Sequence, residues 1–217
     1  MRLAIAVPMK PLALAKARLR PGLGDAARQK LAADMLRHVL AAVAASRVAE
    51  ARGVISADPA ALALATEHGF EAISEPEPQG YNVAAARARA WAQARRCDAL
   101  LILPSDLPFL TAADVQLMAF VARTETSIVV ISPDARAEGT NALLLRPPEA
   151  IPFHFGPDSF RQHLHLAQLA SIPAVIYHSP GLARDIDHPH DLGILDRKYP
   201  LNKEEKMFAL FPLSGQN

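Results

Sequence analysis

The sequence predicts an α/β protein built on a doubly wound, Rossmann-like sheet whose C-terminal portion is mixed. Three observations carry this expectation. Short apolar runs alternate with helical patterns along most of the 217 residues. The apolar run Leu100–Leu103 closes on Pro104 and leads at once to an isolated carboxylate, Asp106. A second group of carboxylates, Asp185 and Asp187, follows the last predicted strand. Open α/β sheets bind ligands beyond the carboxyl ends of their strands, so carboxylates in those places are candidates for chemistry.

Leu3–Val7 reads as the first strand, and a basic loop with two prolines runs from Pro8 to about Gly24. Asp25 is placed to cap a helix to about Ser46, with Leu31, Met35, Leu36, Val39, Leu40 and Val43 on one face. Gly53–Ser56 is a short strand, after which Asp58-Pro59 opens a helix that Gly69 ends. Phe70–Ile73 is a strand, Ser74–Gly80 a polar loop rich in Pro and Glu, and Asn82–Arg96 a helix. Ala99–Leu103 forms the strand before Asp106, and Thr111 caps a helix over Ala112–Ala122 with Asp114 in its first turn. Ser127–Ile131 and Asn141–Leu145 are strands whose connection is short enough for antiparallel pairing. A helix from Asp158 or Ser159 to about Ala170 and a strand at Ala174–Tyr177 complete the pattern.

Composition sets the bounds. A 51% hydrophobic and 21% charged chain supplies a core and excludes disorder, and a net charge of +1 gives no general drive toward nucleic acid or membrane. The single cysteine, Cys97, precludes an intramolecular disulfide and reads as a small packed residue. The first apolar run is interrupted by Pro8 and Lys10 too early for a signal peptide, and the Ala-rich stretch Leu31–Ala45 carries Asp34, Arg37 and His38. A cytoplasmic protein is expected.

Four segments carry the chemistry. Lys10, Lys16 and Arg18 follow the first strand, without the glycines of a Walker A or dinucleotide fingerprint. They would neutralise a triphosphate or form a solvated basic loop. Asp106 sits between prolines, as a metal ligand or a turn aspartate. In Asp185-Ile186-Asp187 an extended backbone would point both carboxylates the same way, while Asp187 or Asp191 would alternatively cap the helix entered at Pro189. Gly139-Thr140-Asn141 and Gly156-Pro157-Asp158-Ser159 offer short donors and a helix N-terminus that favour an anion, or an ordinary cap by Asp158 or Ser159. Two carboxylate-bearing loops suit Mg²⁺ bound to phosphates, which takes one or two carboxylates plus phosphate oxygens. The pairs His163/His165 and His188/His190 lack the cysteines or HExxH helix of a zinc site and read as surface or satisfied histidines.

These segments resemble the phospholactate-type guanylyltransferases (CofC/FbiD), which serve biosynthesis of the deazaflavin coenzyme F-420. The matching stretches are Val7–Leu19, Gly80-Tyr81-Asn82, Leu103–Pro108, Gly139–Pro148, Phe155–Phe160 and Asp185–Leu192, together spanning about Arg2 to Leu195. Tyr81 stands where the family usually has Leu, and Ser105 where Ala is common.

The resemblance implies a MobA-like nucleotidyltransferase fold, related to GT-A glycosyltransferases, over residues 1–196, with a C-terminal tail at 197–217. It implies GTP and a small phosphorylated carboxylate (2-phospho-L-lactate, phosphoenolpyruvate or 3-phospho-D-glycerate) as substrates, with pyrophosphate released. In that reading Asp106, Asp185 and Asp187 hold Mg²⁺, and Thr140, Gly156 and Ser159 receive the acid's phosphate. Lys10, Lys16 and Arg18 face the GTP phosphates, and Gly80 and Asn82 the guanosine. A downstream transferase that uses the product and a second copy of the chain are the expected partners; nucleic acid and membrane are not. The rival expectations are transfer to a larger acceptor, such as molybdopterin or a sugar phosphate, and a non-catalytic nucleotide-binding module. The apolar stretch Met207–Phe211 reads as a loose terminus or a docking arm.

Overall fold

The structure, a computed structural model, describes residues 1–20 and 22–195. The expected tail, Met207–Phe211 included, and the boundary at residue 196 lie outside the described residues.

Seven strands form one sheet in the order β3-β2-β1-β4-β6-β5-β7. They are β1 (Leu3–Pro8), β2 (Ala51–Ser56), β3 (Glu71–Ser74), β4 (Ala99–Ile102), β5 (Ile128–Pro133), β6 (Thr140–Arg146) and β7 (Ala174–Ile176). β1 pairs parallel with β2 and β4, and β2 with β3, because each connection returns through a helix. β6 runs antiparallel to both β4 and β5, and β7 rejoins β5 in parallel. The mixed C-terminal portion follows from the short Asp134–Gly139 turn, which cannot make a crossover.

Side-chain alternation divides the core between the two faces of the sheet. Leu3, Ile5 and Val7 of β1 pack with α1 (Asp25–Ser46), α2 (Pro59–Glu67) and α4 (Ala112–Val121). Ala4 and Ala6 face the other way, onto Ala84, Ala85, Ala88 and Ala92 of α3 (Tyr81–Ala94). Small side chains on both partners let α3 lie close to the sheet, which accounts for the alanine-rich sequence there. α5 (Ser159–Leu169) covers Val129, Ile131, Leu143 and Leu145 on that same side. Strands β1 and β4, covered on both faces, have no exposed residue. No helix among the described residues is long and apolar enough to cross a membrane.

One local expectation changes, and one open alternative is decided. Asp25 is the first residue of α1, and Gly24, in extended conformation, occupies the cap position. The Asp25 carboxylate instead meets the guanidinium of Arg28, one turn on. At the other end of the chain, Asp191 takes the capping role: its Oδ2 accepts from the backbone N–H groups of Asp187 and His188 at 3.0 and 2.7 Å. A 3₁₀ turn (Pro189–Asp191) and the single-turn α6 (Leu192–Leu195) follow.

From β1 the chain winds outward through β2 and β3, then crosses back to β4 on the other side of β1. The crevice at the carboxyl ends of β1 and β4 is therefore the switch point where such sheets bind ligands. Asp114 fastens the segment that borders it. Its Oδ2 accepts from the N–H and hydroxyl of Thr111 in the expected capping box, at 2.9 and 2.6 Å. Its Oδ1 accepts from the hydroxyls of Tyr177 (3.3 Å) and Ser179, on the segment that leads to Asp185 and Asp187. Gly181 makes this approach possible, since a Cβ there would stand 2.6 Å from Asp114 Oδ2 and 2.7 Å from the Phe109 carbonyl. Asn141 Nδ2 donates to the Leu182 carbonyl at 2.8 Å and fixes the same segment from β6.

Replacing Asp114 by Ala removes a cap and strands two hydroxyl partners, which should destabilise the fold by about 2–4 kcal/mol. A urea midpoint within error of wild type for Asp114→Ala would contradict this role.

Candidate active site

Asp106 leaves the end of β4, and Asp185 and Asp187 arrive on the segment pinned by Asp114 and Asn141. Ile186 between them is fully buried against Leu19, Leu23, Leu31 and Met35, so its two neighbours face the crevice together. Oxygens of Asp106, Asp185 and Asp187 lie within 4.8 Å of one another. The sequence-predicted trio is thus assembled from positions about eighty residues apart.

Lys16 enters this cluster. Its ammonium hydrogen-bonds Asp106 and stands 2.9 Å from Asp187 Oδ1, with the side chain 6% exposed. Arg18 Nη1 lies 3.3 Å from Asp187 Oδ2 at the open side. The loop that delivers both is held by Arg28, which is 1% exposed although it belongs to the α1 helix. Its guanidinium donates to the carbonyls of Leu12, Ala13 and Ala15 and to Asp25. Lys16 itself adopts a left-handed backbone conformation, φ 55°.

Burial works against the Lys16 charge, but Asp106 and Asp187 outweigh it and raise its pKa. Burial likewise opposes ionisation of Asp187, and Lys16 and then Arg18 overcome it and hold the carboxyl below its usual range. At Asp185 the compensation from a backbone hydrogen bond and from Lys16 is too weak. Burial, with the charges of Asp106 and Asp187, pushes its pKa up to about 6. The cluster is short of positive charge, and its donors are hard oxygens converging on one place. That set fits a divalent cation such as Mg²⁺.

The carboxylates line one side of a cleft of about 810 Å³. Thr140, Gly156 and Ser159 line it too, together with Arg18, Arg136 and Arg161. The cap at α5 is not an ordinary one: Asp158 occupies the cap position in left-handed conformation and its side chain makes no cap hydrogen bond. The Phe160 N–H instead donates to the Glu138 carbonyl at 3.1 Å, tying the helix start to the turn before Thr140. Asn82 lines the cleft, and its amide is paired with the backbone of Phe155, Nδ2 donating to the carbonyl (2.9 Å) and Oδ1 accepting from the N–H (2.7 Å). It fixes the approach to Gly156.

His163, read as a satisfied histidine, is fully buried, and its contacts determine its tautomer. Nε2 accepts from the His154 N–H at 3.0 Å, so the proton resides on Nδ1, which donates to Thr140 Oγ1 at 3.0 Å. The Thr140 hydroxyl, already an acceptor, has its own proton free to donate into the cleft. Burial, reinforced by His154, lowers the His163 pKa to about 4 and keeps the ring neutral. Cys97 is buried, as a packed residue should be.

Lys10 and Gly80, expected to face the nucleotide, do not line the main cleft. They line a second cavity of about 300 Å³, beside it. Tyr81 lines both spaces, edge-on to Phe155 at 4.8 Å. Sequence reasoning missed Arg136 and Arg161, which look like ordinary surface arginines; only their neighbourhood to Gly139-Thr140 and Ser159 marked them.

The fold and site define a protein of the nucleotidyltransferase class. A putative nucleotide-diphospho-sugar transferase from Desulfovibrio desulfuricans shares the fold with a TM-score of 0.73 at 15% identity, over 96% of this chain and 94% of that one. The chain belongs to the family described as guanylyl transferase CofC like, whose model matches residues 3–196. A phosphoenolpyruvate guanylyltransferase of Rubrobacter xylanophilus is 41% identical over 190 residues, 88% of this chain and 91% of the relative. A 2-phospho-L-lactate guanylyltransferase of Methanothermobacter thermautotrophicus is 35% identical over 188 residues, 86% of this chain and 81% of the relative.

The neutral His163 has a consequence for stability. Between pH 6.5 and about 4 the unfolded chain takes up a proton that the folded one refuses. Stability therefore falls on acidification through this range, by up to roughly 3 kcal/mol for this group. Asp185, whose pKa is raised, works in the opposite sense and is common to wild type and a His163→Gln variant. Urea unfolding of the two proteins should show a stability difference that shrinks from pH 7 to pH 4.5, and a constant difference would contradict the assignment.

Proposed function

We propose that this chain transfers GMP from GTP to a small phosphorylated carboxylate, with phosphoenolpyruvate the first candidate acceptor, and releases pyrophosphate. The observation that carries the reading is the joining of three carboxylates and an arginine-lined, hydroxyl-bearing cleft at one switch point. Family membership and the printed activities of the relatives support the reaction class, and the 41% identical relative supports the acceptor.

A phosphate oxygen of the acceptor attacks the α-phosphorus of GTP, a new P–O bond forms, and the bond to the β-phosphate oxygen breaks as pyrophosphate leaves. The acceptor phosphate is largely ionised at pH 7, so the step needs no general base. The cleft fits that demand, because the buried His163 has both ring nitrogens engaged. Thr140 Oγ–H and the α5 N-terminus at Gly156 and Ser159 hold the acceptor phosphate, and the helix dipole favours its charge. Arg136 and Arg161 add charge complementarity. Lys16 and Arg18 lie where cations would offset the negative charge of the triphosphate and the leaving group. Asp106, Asp185 and Asp187 would hold Mg²⁺, which when bound supplies Lewis-acid polarisation of phosphate oxygens.

The product is a guanosine diphospho-linked acid for coenzyme F-420 biosynthesis in the cytoplasm, handed to a downstream transferase.

Purified protein should release pyrophosphate from GTP with Mg²⁺ and phosphoenolpyruvate, and chelation should stop it. Silence with phosphoenolpyruvate, 2-phospho-L-lactate and 3-phospho-D-glycerate alike would overturn the proposal in favour of a larger acceptor or a binding module. Asp106→Ala and Asp187→Ala should remain folded yet lose about 10²–10³ in kcat, the scale on which preorganised electrostatic partners act. Turnover near wild type in either would remove that residue from the metal set.

A further inference from the structure

One buried charge is used by none of the chemistry above. Glu75 directly follows β3, and its side chain is 5% exposed. It lines the second cavity, the one of about 300 Å³ beside the main cleft. Its Oε2 is buried and accepts no hydrogen bond from the described residues. Arg87 Nε stands 3.8 Å away, beyond hydrogen-bond reach, and has no hydrogen-bond partner either. This is an ion pair without a bond. Burial raises the Glu75 pKa, and the Arg87 charge only partly opposes that. A buried acceptor left without a donor is destabilising, so such a group in a cavity points to a ligand that brings donors.

The surroundings specify the shape of that ligand. Pro8, Met9, Pro78 and Tyr81 supply apolar walls, and Leu14, 56% exposed, stands at the rim. The cavity lies at the carboxyl ends of β1 and β3, on one side of the switch point, and meets the main cleft at Tyr81. A mostly apolar cavity with one buried carboxylate, with Lys10 also in its lining and the proposed phosphate-binding cleft next to it, has the composition of a nucleobase pocket.

Building on the GTP reading, we infer that Glu75 reads the guanine base, accepting hydrogen bonds from its N1–H and its 2-amino group. An ionised carboxylate only accepts. Guanine alone among the common bases presents two adjacent donors on one edge. Adenine and cytosine place an acceptor next to their amino group, and uracil flanks its single N–H with two carbonyls. Each would leave Glu75 facing a lone pair or a missing donor. The pocket is thus selective by the cost of an unpaired buried charge, which rejects the wrong partner more strongly than a shape mismatch does.

The test uses natural and modified nucleotides with the full chain. For wild type, kcat/KM should fall about 10- to 100-fold from GTP to ITP, which lacks only the 2-amino group, and by about 10⁴-fold for ATP. A Glu75→Gln side chain offers one acceptor and one donor, the complement of xanthine, which has N1–H beside a 2-carbonyl. The variant should therefore lose about 10²-fold on GTP and raise its XTP-to-GTP ratio by at least about 10²-fold. Calorimetric affinities for GTP, ITP and XTP should follow the same order without any acceptor present. ITP equal to GTP in wild type, or an unchanged XTP-to-GTP ratio in Glu75→Gln, would overturn the assignment while leaving guanylyl transfer standing. GTP binding with the expected selectivity but no pyrophosphate release would keep Glu75 as the base reader and discard the transfer reaction. If wild type neither binds GTP nor turns over, both readings fall. The ITP comparison needs no variant, so a folding defect in Glu75→Gln cannot mask the result.

Discussion

Like-charge repulsion among Asp106, Asp185 and Asp187 is the constraint on which the rest of this structure depends. Three carboxylates within 4.8 Å would drive their loops apart unless both loops were fastened and positive charge were supplied. Several features near the switch point answer one of those two needs. Asp114 and Asn141 fasten the segment before Asp185, Asp191 stiffens the chain after Asp187, and Ile186 sinks an apolar anchor between the two aspartates. Lys16 brings the compensating charge to the centre, and buried Arg28 organises the loop that carries it by collecting its carbonyl groups. Compensation is incomplete: burial first, and then the charges of Asp106 and Asp187, keep the Asp185 pKa raised.

On either side of this centre the crevice differs in chemistry. Toward β6 and α5 it is wide, hydroxyl-bearing and rich in arginine, suited to a small phosphorylated acid. Toward β2 and β3 lies a smaller, mostly apolar cavity with a single buried carboxylate, Glu75, and with Lys10 in its lining. The N-terminus of α3 joins the two halves: Gly80 lines that cavity, Asn82 holds Phe155 beside the cleft, and Tyr81 forms the partition. A triphosphate lying across such a partition would have its base on one side and its reacting phosphorus near the aspartates. Tyr81 thus shapes both compartments at once.

Control of protonation in the acid half is indirect. His163 never meets the cleft as an acid or base; it acts by occupying one lone pair of Thr140. That leaves the threonine a committed donor, and a neutral ring avoids adding a buried charge that titrates. Structural histidines of this kind are a way to fix the sense of a hydrogen bond where the partner is an anion.

Local pattern by itself determined a good deal. Strand and helix order, the antiparallel turn before β6, the Thr111–Asp114 capping box and the common facing of Asp185 and Asp187 are properties of short stretches, written in periods of two and 3.6 and in cap residues. The six family stretches also marked the aspartates that the fold gathers into one cluster and the Thr140, Gly156 and Ser159 segments that line the cleft beside them. What only the tertiary structure decided are the jobs of residues whose partners are remote in the chain. Arg28 looks like the polar side of an amphipathic helix and is buried; Glu75 looks like part of a polar loop and is a buried, unpaired acceptor. Lys16 looks like one of several phosphate-facing cations and sits among carboxylates delivered from 90 and 171 positions away. Burial of a charge depends on what folds over it, and a contact across such a separation leaves no periodic trace.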